Sequence, residues 1–197
     1  ELEHKYAHEI HANEIVLLAY YIAAINIEAV YQGIAQKNEY VPFEGICLTD
    51  TFQLNKDKDE LALYMPDNSE RRTRQKALDI RVIVGNPPYS SGQNSANDNN
   101  ANVAYKGLDG RIRDTYAARS TATNKNALYD SYIRAIRWAS DRVGQSGIVG
   151  FVTNAGWLDA NTADGLRKTL TDEFSSLYVF HLRGNQRTSG ELSRRQG

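Results

Sequence analysis

Ile80-Arg81-Val82-Ile83-Val84-Gly85-Asn86-Pro87-Pro88-Tyr89 is the stretch on which the fold turns. Its first five residues are compact and mostly β-branched, the composition of a strand. Gly85-Asn86-Pro87-Pro88 has to end that strand, because neither proline carries an N–H for a ladder. The chain thus sets a polar side chain, two rigid rings and an aromatic ring at the carboxyl end of a strand. In open α/β sheets that end faces the crevice where ligands bind.

Outward from this stretch, strand and helix patterns alternate. Upstream, residues 7–14 read as a short strand, followed by a helix from Ile15 to about Gln36 whose length and alanine content favour burial. Residues 40–48 give a second short strand, ended by Thr49-Asp50-Thr51. Residues 55–60 read as a charged loop and 69–77 as a polar helix. Downstream, residues 90–102 are polar and of low complexity, which predicts a loop. Residues 126–143 have helical spacing, with Leu128, Tyr132, Ile136 and Ala139 on one stripe and Arg134, Arg137 and Arg142 off it. Residues 148–152 read as a strand, 160–174 as a helix and 177–182 as a strand. The alternation predicts an α/β fold, a mostly parallel sheet flanked by helices.

Composition sets wide bounds. At 197 residues there is room for one domain with a substantial core. Hydrophobic content of 41%, charged content of 24% and a net charge of -1 describe an ordinary globular chain. Net charge therefore names no partner, and any nucleic-acid contact has to come from local basic clusters. Two exist in sequence: Arg71-Arg72-Thr73-Arg74-Gln75-Lys76, read as a solvated helix face rather than a phosphate patch, and Arg183, Arg187, Arg194 and Arg195, a cluster near the end of the sequence. The single cysteine, Cys47, allows no disulfide within the chain and no multi-cysteine metal site, which suits a reducing compartment. His8 and His11 on a strand would face opposite ways, so no metal site is expected. The apolar run over residues 15–27 is interrupted by Asn26 and followed by Glu28, so no membrane span is expected, and no signal peptide opens the chain. The expectation is a cytoplasmic protein.

Asn86-Pro87-Pro88-Tyr89 suits the handling of a planar exocyclic amine. The Asn carbonyl and the rigidly held backbone carbonyl of the first proline can each accept one of its N–H groups. The Tyr ring offers a stacking face for the base. The same four residues are also a common rigid turn after a strand.

The motif resembles that of the amino-methyltransferases that use S-adenosylmethionine. Together with His11-Ala12-Asn13-Glu14-Ile15, Leu48-Thr49-Asp50-Thr51-Phe52 and Leu182-Arg183-Gly184-Asn185-Gln186-Arg187-Thr188-Ser189-Gly190-Glu191, it resembles the adenine-N6 methyltransferase region of the Type ISP restriction-modification enzymes. The resemblance implies a Rossmann-like methyltransferase and double-stranded DNA as partner. It also implies upstream nuclease and helicase-like domains and a downstream target-recognition domain. The implied catalytic residues are Asn86, Pro87, Pro88 and Tyr89, acting on an adenine flipped from the duplex. The implied cofactor residues are Glu14, Ile15, Asp50, Thr51, Phe52 and Asn86. Glu14 would bind the ribose hydroxyls, Asp50 the adenine amine of the cofactor, and Phe52 would wall its ring. By itself, Glu14 also reads as an acid favourably placed at a helix start, and Asp50 as a turn cap.

The family's first strand and glycine-rich loop have no counterpart before Glu14. Residues 1–197 are accordingly expected to form a partial catalytic domain, with the acidic cofactor-side strands in residues 1–60 and the catalytic motif with the remaining sheet in 78–197. Two other functions fit the residues: an amino-methyltransferase acting on a protein glutamine or RNA, and a non-catalytic DNA-binding or scaffolding segment.

Overall fold

The computed structural model describes residues 1–36, 39–54, 63–88 and 104–182. They fall into two compact units, Glu1–Arg81 with Gln145–Gly147, and Val82–Gly144 with Ile148–Gly197.

The first unit opens with α1 (Leu2–His4), continued by a π-helical turn, Lys5–Glu9. The strand expected from residue 7 therefore begins only at β1 (Ala12–Glu14), and His8 is helical. Glu9 is the reason: it accepts from Lys5 one turn back at 3.0 Å and pairs with His4, holding the backbone helical. α2 (Leu17–Ala35) ends where Gln36 enters the left-handed region, its N–H closing on Gln32. β2 (Ile46–Leu48) runs parallel to β1 in the register Ala12↔Ile46, Asn13↔Cys47, Glu14↔Leu48. It is shorter than expected because Pro42 has no N–H and the Glu28 carboxylate takes that of Phe43 at 2.9 Å. α3 (Pro66–Ala77) starts three residues earlier than expected, with proline where a helix tolerates it.

Asn68 on α3 replaces a neighbouring strand for β2. Its side chain accepts the Leu48 N–H at 2.7 Å and donates to the Leu48 carbonyl at 3.1 Å. The basic run on the same helix is not a solvated face. Arg71 binds Glu44 and the Tyr20 hydroxyl, buried Arg72 donates to the carbonyls of Gln53 and Leu54, and Arg74 donates to that of Glu44. A guanidinium spans several acceptors at once, so these arginines hold β2 and the turn after it.

The core of this unit is aromatic: Tyr6, Tyr20, Tyr31 and Phe43 pack with Ile46 and Leu48, and the rings of Tyr6 and Tyr31 stack at 3.7 Å. Of α2, expected to be buried, only Tyr20 and Tyr31 are, while Leu18 is 69% exposed and Ile25, Val30 and Ile34 are also exposed. By length and composition α2 is apolar enough to cross a membrane, against the expectation from Asn26 and Glu28. Here Glu28 ties it to the lead into β2, accepting from Phe43 N–H and from the Tyr40 hydroxyl.

In the second unit β3 (Val82–Gly85) pairs in parallel with β4 (Ile148–Phe151), from Val82↔Ile148 to Gly85↔Phe151. Between them lie α4 (Lys106–Ile112), extended by a π-helical turn Arg113–Ala117, and α5 (Ser131–Arg142). The helix expected over 126–143 breaks at Asp130, which is extended, leaving a 3₁₀ turn at Asn126–Tyr129. After β4 come α6 (Gly156–Asp159), a 3₁₀ turn Asn161–Ala163 and α7 (Asp164–Glu173). The strand expected over residues 177–182 is absent: the segment has no ladder partner among the described residues, and Tyr178 and Phe180 are exposed. Parallel pairing in both sheets agrees with the α/β expectation. The loops expected over 55–60 and 90–102 lie outside the described residues.

Leu128, Tyr132, Ile136 and Ala139 are buried as the helical stripe predicts, the first three packed with Ile112, Tyr116, Leu166 and Leu170. Arg134 and Arg137, off that stripe, are buried as well. Arg134 reaches Asp109 at 2.8 Å, and Arg137 reaches both Asp141 and Glu173 at 2.8 Å beneath the Tyr116 ring. Burial of an arginine is tolerable only with such partners. At Gly165, α7 meets the backbone of the 113–117 turn. A Cβ there would fall on the Tyr116 carbonyl oxygen and lie 2.6 Å from the Ser120 nitrogen, whereas one on Gly107 would meet nothing within 4 Å.

Gly165→Ala is therefore expected to destabilise the protein by about 2 kcal/mol or more, as overpacking against rigid backbone does. Gly107→Ala, in α4, should be neutral or stabilising by up to about 1 kcal/mol. Equilibrium denaturation checks both; equal midpoints would refute the packing assigned to Gly165.

Candidate functional site

Each unit presents polar groups where two parallel strands end. In the first, Glu14 closes β1 and Asp50 follows β2. They are neighbours because the ladder is in register and continues one step further, Thr49 N–H donating to the Glu14 carbonyl at 2.8 Å. Glu14 is half-buried and Ile15 exposed. The Asp50 carboxylate accepts from Phe52 N–H and from the Gln53 side-chain amide, both at 2.9 Å, and shapes the 3₁₀ turn Thr51–Gln53. Arg72 braces that turn from α3 through the carbonyls of Gln53 and Leu54, each at 3.3 Å. Asp50 thus does cap a turn. Thr51 and Phe52 are half-buried on the same turn. Cys47 is buried in β2, and desolvation pushes its thiol up to about 11, too high for a nucleophile at neutral pH.

In the second unit, Gly85 ends β3 with its carbonyl accepting Val152 N–H at 3.0 Å. Pro87 then stops the ladder. Its ring is buried, while Asn86 and Pro88 are exposed. A Cβ on Gly85 would lie 3.3 Å from the Phe151 ring across the ladder, a tight approach that glycine avoids. Tyr89 lies outside the described residues, as do Arg183, Arg187, Arg194 and Arg195.

Beside Asn86 the structure sets a segment that the sequence reading passed over, the exit of β4. Asn154 Oδ1 accepts from Gly156 N–H at 2.7 Å, and Trp157 Nε1 donates to Thr153 Oγ1 at 3.3 Å. A signal was present: Asn followed two residues on by Gly, at the end of a strand parallel to β3, marks an ordered turn facing the same crevice.

The strand ends therefore bring Glu14 next to Asp50 through Phe52, and Asn86 through Pro88 next to Thr153 through Trp157. The first set offers anionic acceptors for hydroxyls and amines. The second offers neutral amide and carbonyl groups beside aromatic surface.

A family model described as Eco57I restriction-modification methylase matches residues 6–187. Among solved structures, the chain is 51% identical to a nuclease-deletion mutant of the Type ISP restriction-modification enzyme LlaGI in complex with a DNA substrate mimic, with a TM-score of 0.90 over 100% of this chain and 16% of that one. It is 50% identical to the ATP-dependent Type ISP restriction-modification enzyme LlaBIII bound to DNA, with a TM-score of 0.79 over 85% of this chain and 11% of that one. It is 45% identical to DrdV in its DNA complex, with a TM-score of 0.88 over 99% of this chain and 19% of that one. The chain thus spans less than a fifth of each of these proteins. Among curated proteins nothing matches.

Asp50→Ala removes both acceptors of the turn and is expected to loosen it by about 1 kcal/mol, roughly a fivefold faster amide exchange at Phe52. Asp50→Asn, which keeps an acceptor for that N–H, should exchange at nearly the wild-type rate. Equal protection in the alanine variant would show that the turn does not depend on Asp50.

Proposed function

The chain belongs to the Eco57I restriction-modification methylase family, and from that premise we propose that it transfers a methyl group from S-adenosylmethionine to N6 of an adenine flipped out of double-stranded DNA. The observation that carries this reading is Asn86-Pro87 at the carboxyl end of β3, where the ladder stops and a carbonyl-bearing side chain is exposed beside a buried proline.

The target amine has two N–H groups. Asn86 Oδ1 and the Pro87 carbonyl accept one each, which draws the nitrogen lone pair out of conjugation and fixes the direction in which it points. Pro87 contributes rigidity as well: its ring is buried and fixes φ, and Pro88 after it restricts ψ, so the Pro87 carbonyl is held in direction. Tyr89, with Pro88 before it, stacks on the base, which has to leave the duplex because its N6 edge is otherwise paired. DNA is preferred to a protein glutamine or RNA as substrate because DNA accompanies the relatives LlaGI, LlaBIII and DrdV.

The acidic pair of the first unit suits S-adenosylmethionine. Glu14, with Ile15 after it, binds the ribose hydroxyls, and Asp50, with Thr51 and Phe52, receives the adenine amine and walls the ring. The donor supplies an electrophilic methyl; the chain supplies position and excludes water.

Exposed apolar side chains on α2 and on both sheet strands of the second unit, Val82 at 59% and Val84 at 79% among them, support a larger assembly. We place the chain as the methyltransferase part of a longer cytoplasmic restriction-modification protein. Upstream it carries nuclease and helicase-like domains and downstream a target-recognition domain, and a Rossmann-like sheet is completed by a strand and glycine-rich loop outside these residues.

In the intact protein Asn86→Ala is expected to slow methylation about 10²- to 10³-fold, the cost of losing one preorganised polar contact to the reacting group, with DNA affinity retained. Glu14→Ala is expected to weaken S-adenosylmethionine binding about ten- to a hundredfold, as loss of a charge-assisted acceptor does, with a near-normal rate at saturation. Methylation unchanged in Asn86→Ala would overturn the assignment of the reacting group.

A further inference from the structure

We propose that the turn after β4 is the second wall of the target-base site and that the side-chain amide of Asn154 donates a hydrogen bond to a ring nitrogen of the flipped adenine next to its amine. This rests on the proposed adenine chemistry and adds the donor which that chemistry lacks.

The placement follows from register. β3 and β4 are parallel and paired residue for residue up to Gly85↔Phe151. The next rung, Val152 N–H to the Gly85 carbonyl, brings both chains out at one level, about 4.8 Å apart as neighbouring strands are. Asn86 and Pro87 leave on one side of this rung, Thr153 and Asn154 on the other.

The orientation of Asn154 follows from its bonds. Its Oδ1 is engaged by Gly156 N–H at 2.7 Å, which directs Nδ2 away from the turn. The residue is exposed, and Nδ2 has no hydrogen-bond partner among the described residues. The turn itself is braced. Trp157 is bonded to Thr153 and packs against the core formed by Tyr116, Tyr132 and Leu166, and Gly156 sits so close to Asn154 that a Cβ would lie 3.1 Å from Oδ1. A rigidly held donor at a strand end is preorganised for a ligand.

The chemistry is complementary. N6 of adenine is flanked by two ring acceptors, N1 and N7. Asn86 and Pro87 offer only acceptors to the amine, so they leave a neighbouring ring nitrogen unsatisfied once the base has lost its partner strand. Asn154 supplies that donor. A base with a protonated ring nitrogen at that position would meet donor against donor and be rejected, so Asn154 would also contribute to the choice of base.

The test uses the intact protein, S-adenosylmethionine and a duplex carrying the recognised sequence. Asn154→Asp keeps the acceptor for Gly156 N–H and loses the donor. Asn154→Ser does the same without adding charge, its hydroxyl being able to cap the turn but too short to reach the base. Both are expected to lower kcat/KM for methylation roughly ten- to a hundredfold with unchanged melting temperature. With 1-deazaadenine or 7-deazaadenine at the target position, one analogue is expected to slow the wild type by a similar factor and to abolish the difference between wild type and variant. Variants within twofold of wild type on adenine, or an undiminished difference on both analogues, would overturn the proposal while leaving adenine methylation by the wild type intact.

Discussion

The hydrogen bond from Val152 N–H to the Gly85 carbonyl is the last rung of the β3–β4 ladder, and the proposed site depends on where it falls. Pro87 has no N–H to continue the pairing, so the chain must turn out of the sheet there and carry Asn86 with it. Because the strands are parallel, their carboxyl ends coincide, and β4 delivers Thr153 and Asn154 to the same place. A slip of one residue would flip every side chain of β4 to the other face and separate the two exits. Register is held from below by Ile148, Val149 and Gly150 against Val82, Ile83 and Val84, where Gly150 fits because a Cβ would lie 3.3 Å from the Val84 side chain.

The first unit solves the same problem with polar atoms. β1 and β2 are three residues long, too short to set a register by apolar packing alone. Asn68 imitates a strand against Leu48, and Arg71, Arg72 and Arg74 grip the residues on either side of β2. Glu14 and Asp50 consequently stand side by side with Asp50 already ordered by its own turn. Carboxylates ordered before a ligand arrives lose less entropy in binding it.

What could be read from the sequence was whatever depends on neighbours along the chain. Proline chemistry ends β3 where Asn86-Pro87-Pro88 predicts, the apolar run at 148–151 forms its parallel partner, and the stripe from Leu128 to Ala139 is buried. What stayed hidden depends on distant residues. Residues 177–182 alternate like a strand, but a strand needs a ladder partner. Arg134 and Arg137 are internal because Asp109 and Glu173 come to meet them. Asn154 had no visible role until register set it beside Asn86. The helical start at residues 2–9 went unread because Glu9 acts through Lys5 and His4, which outweighs the strand-like run toward Glu14.

The neutral strand ends of the second unit, Asn86-Pro87 and Asn154, are proposed to act on the amine of adenine. The most direct measurement is mass spectrometry of nucleosides from DNA incubated with the intact protein and S-adenosylmethionine carrying a labelled methyl group. The label is predicted in N6-methyldeoxyadenosine; label in a methylated cytosine, or in no nucleoside, would contradict the account.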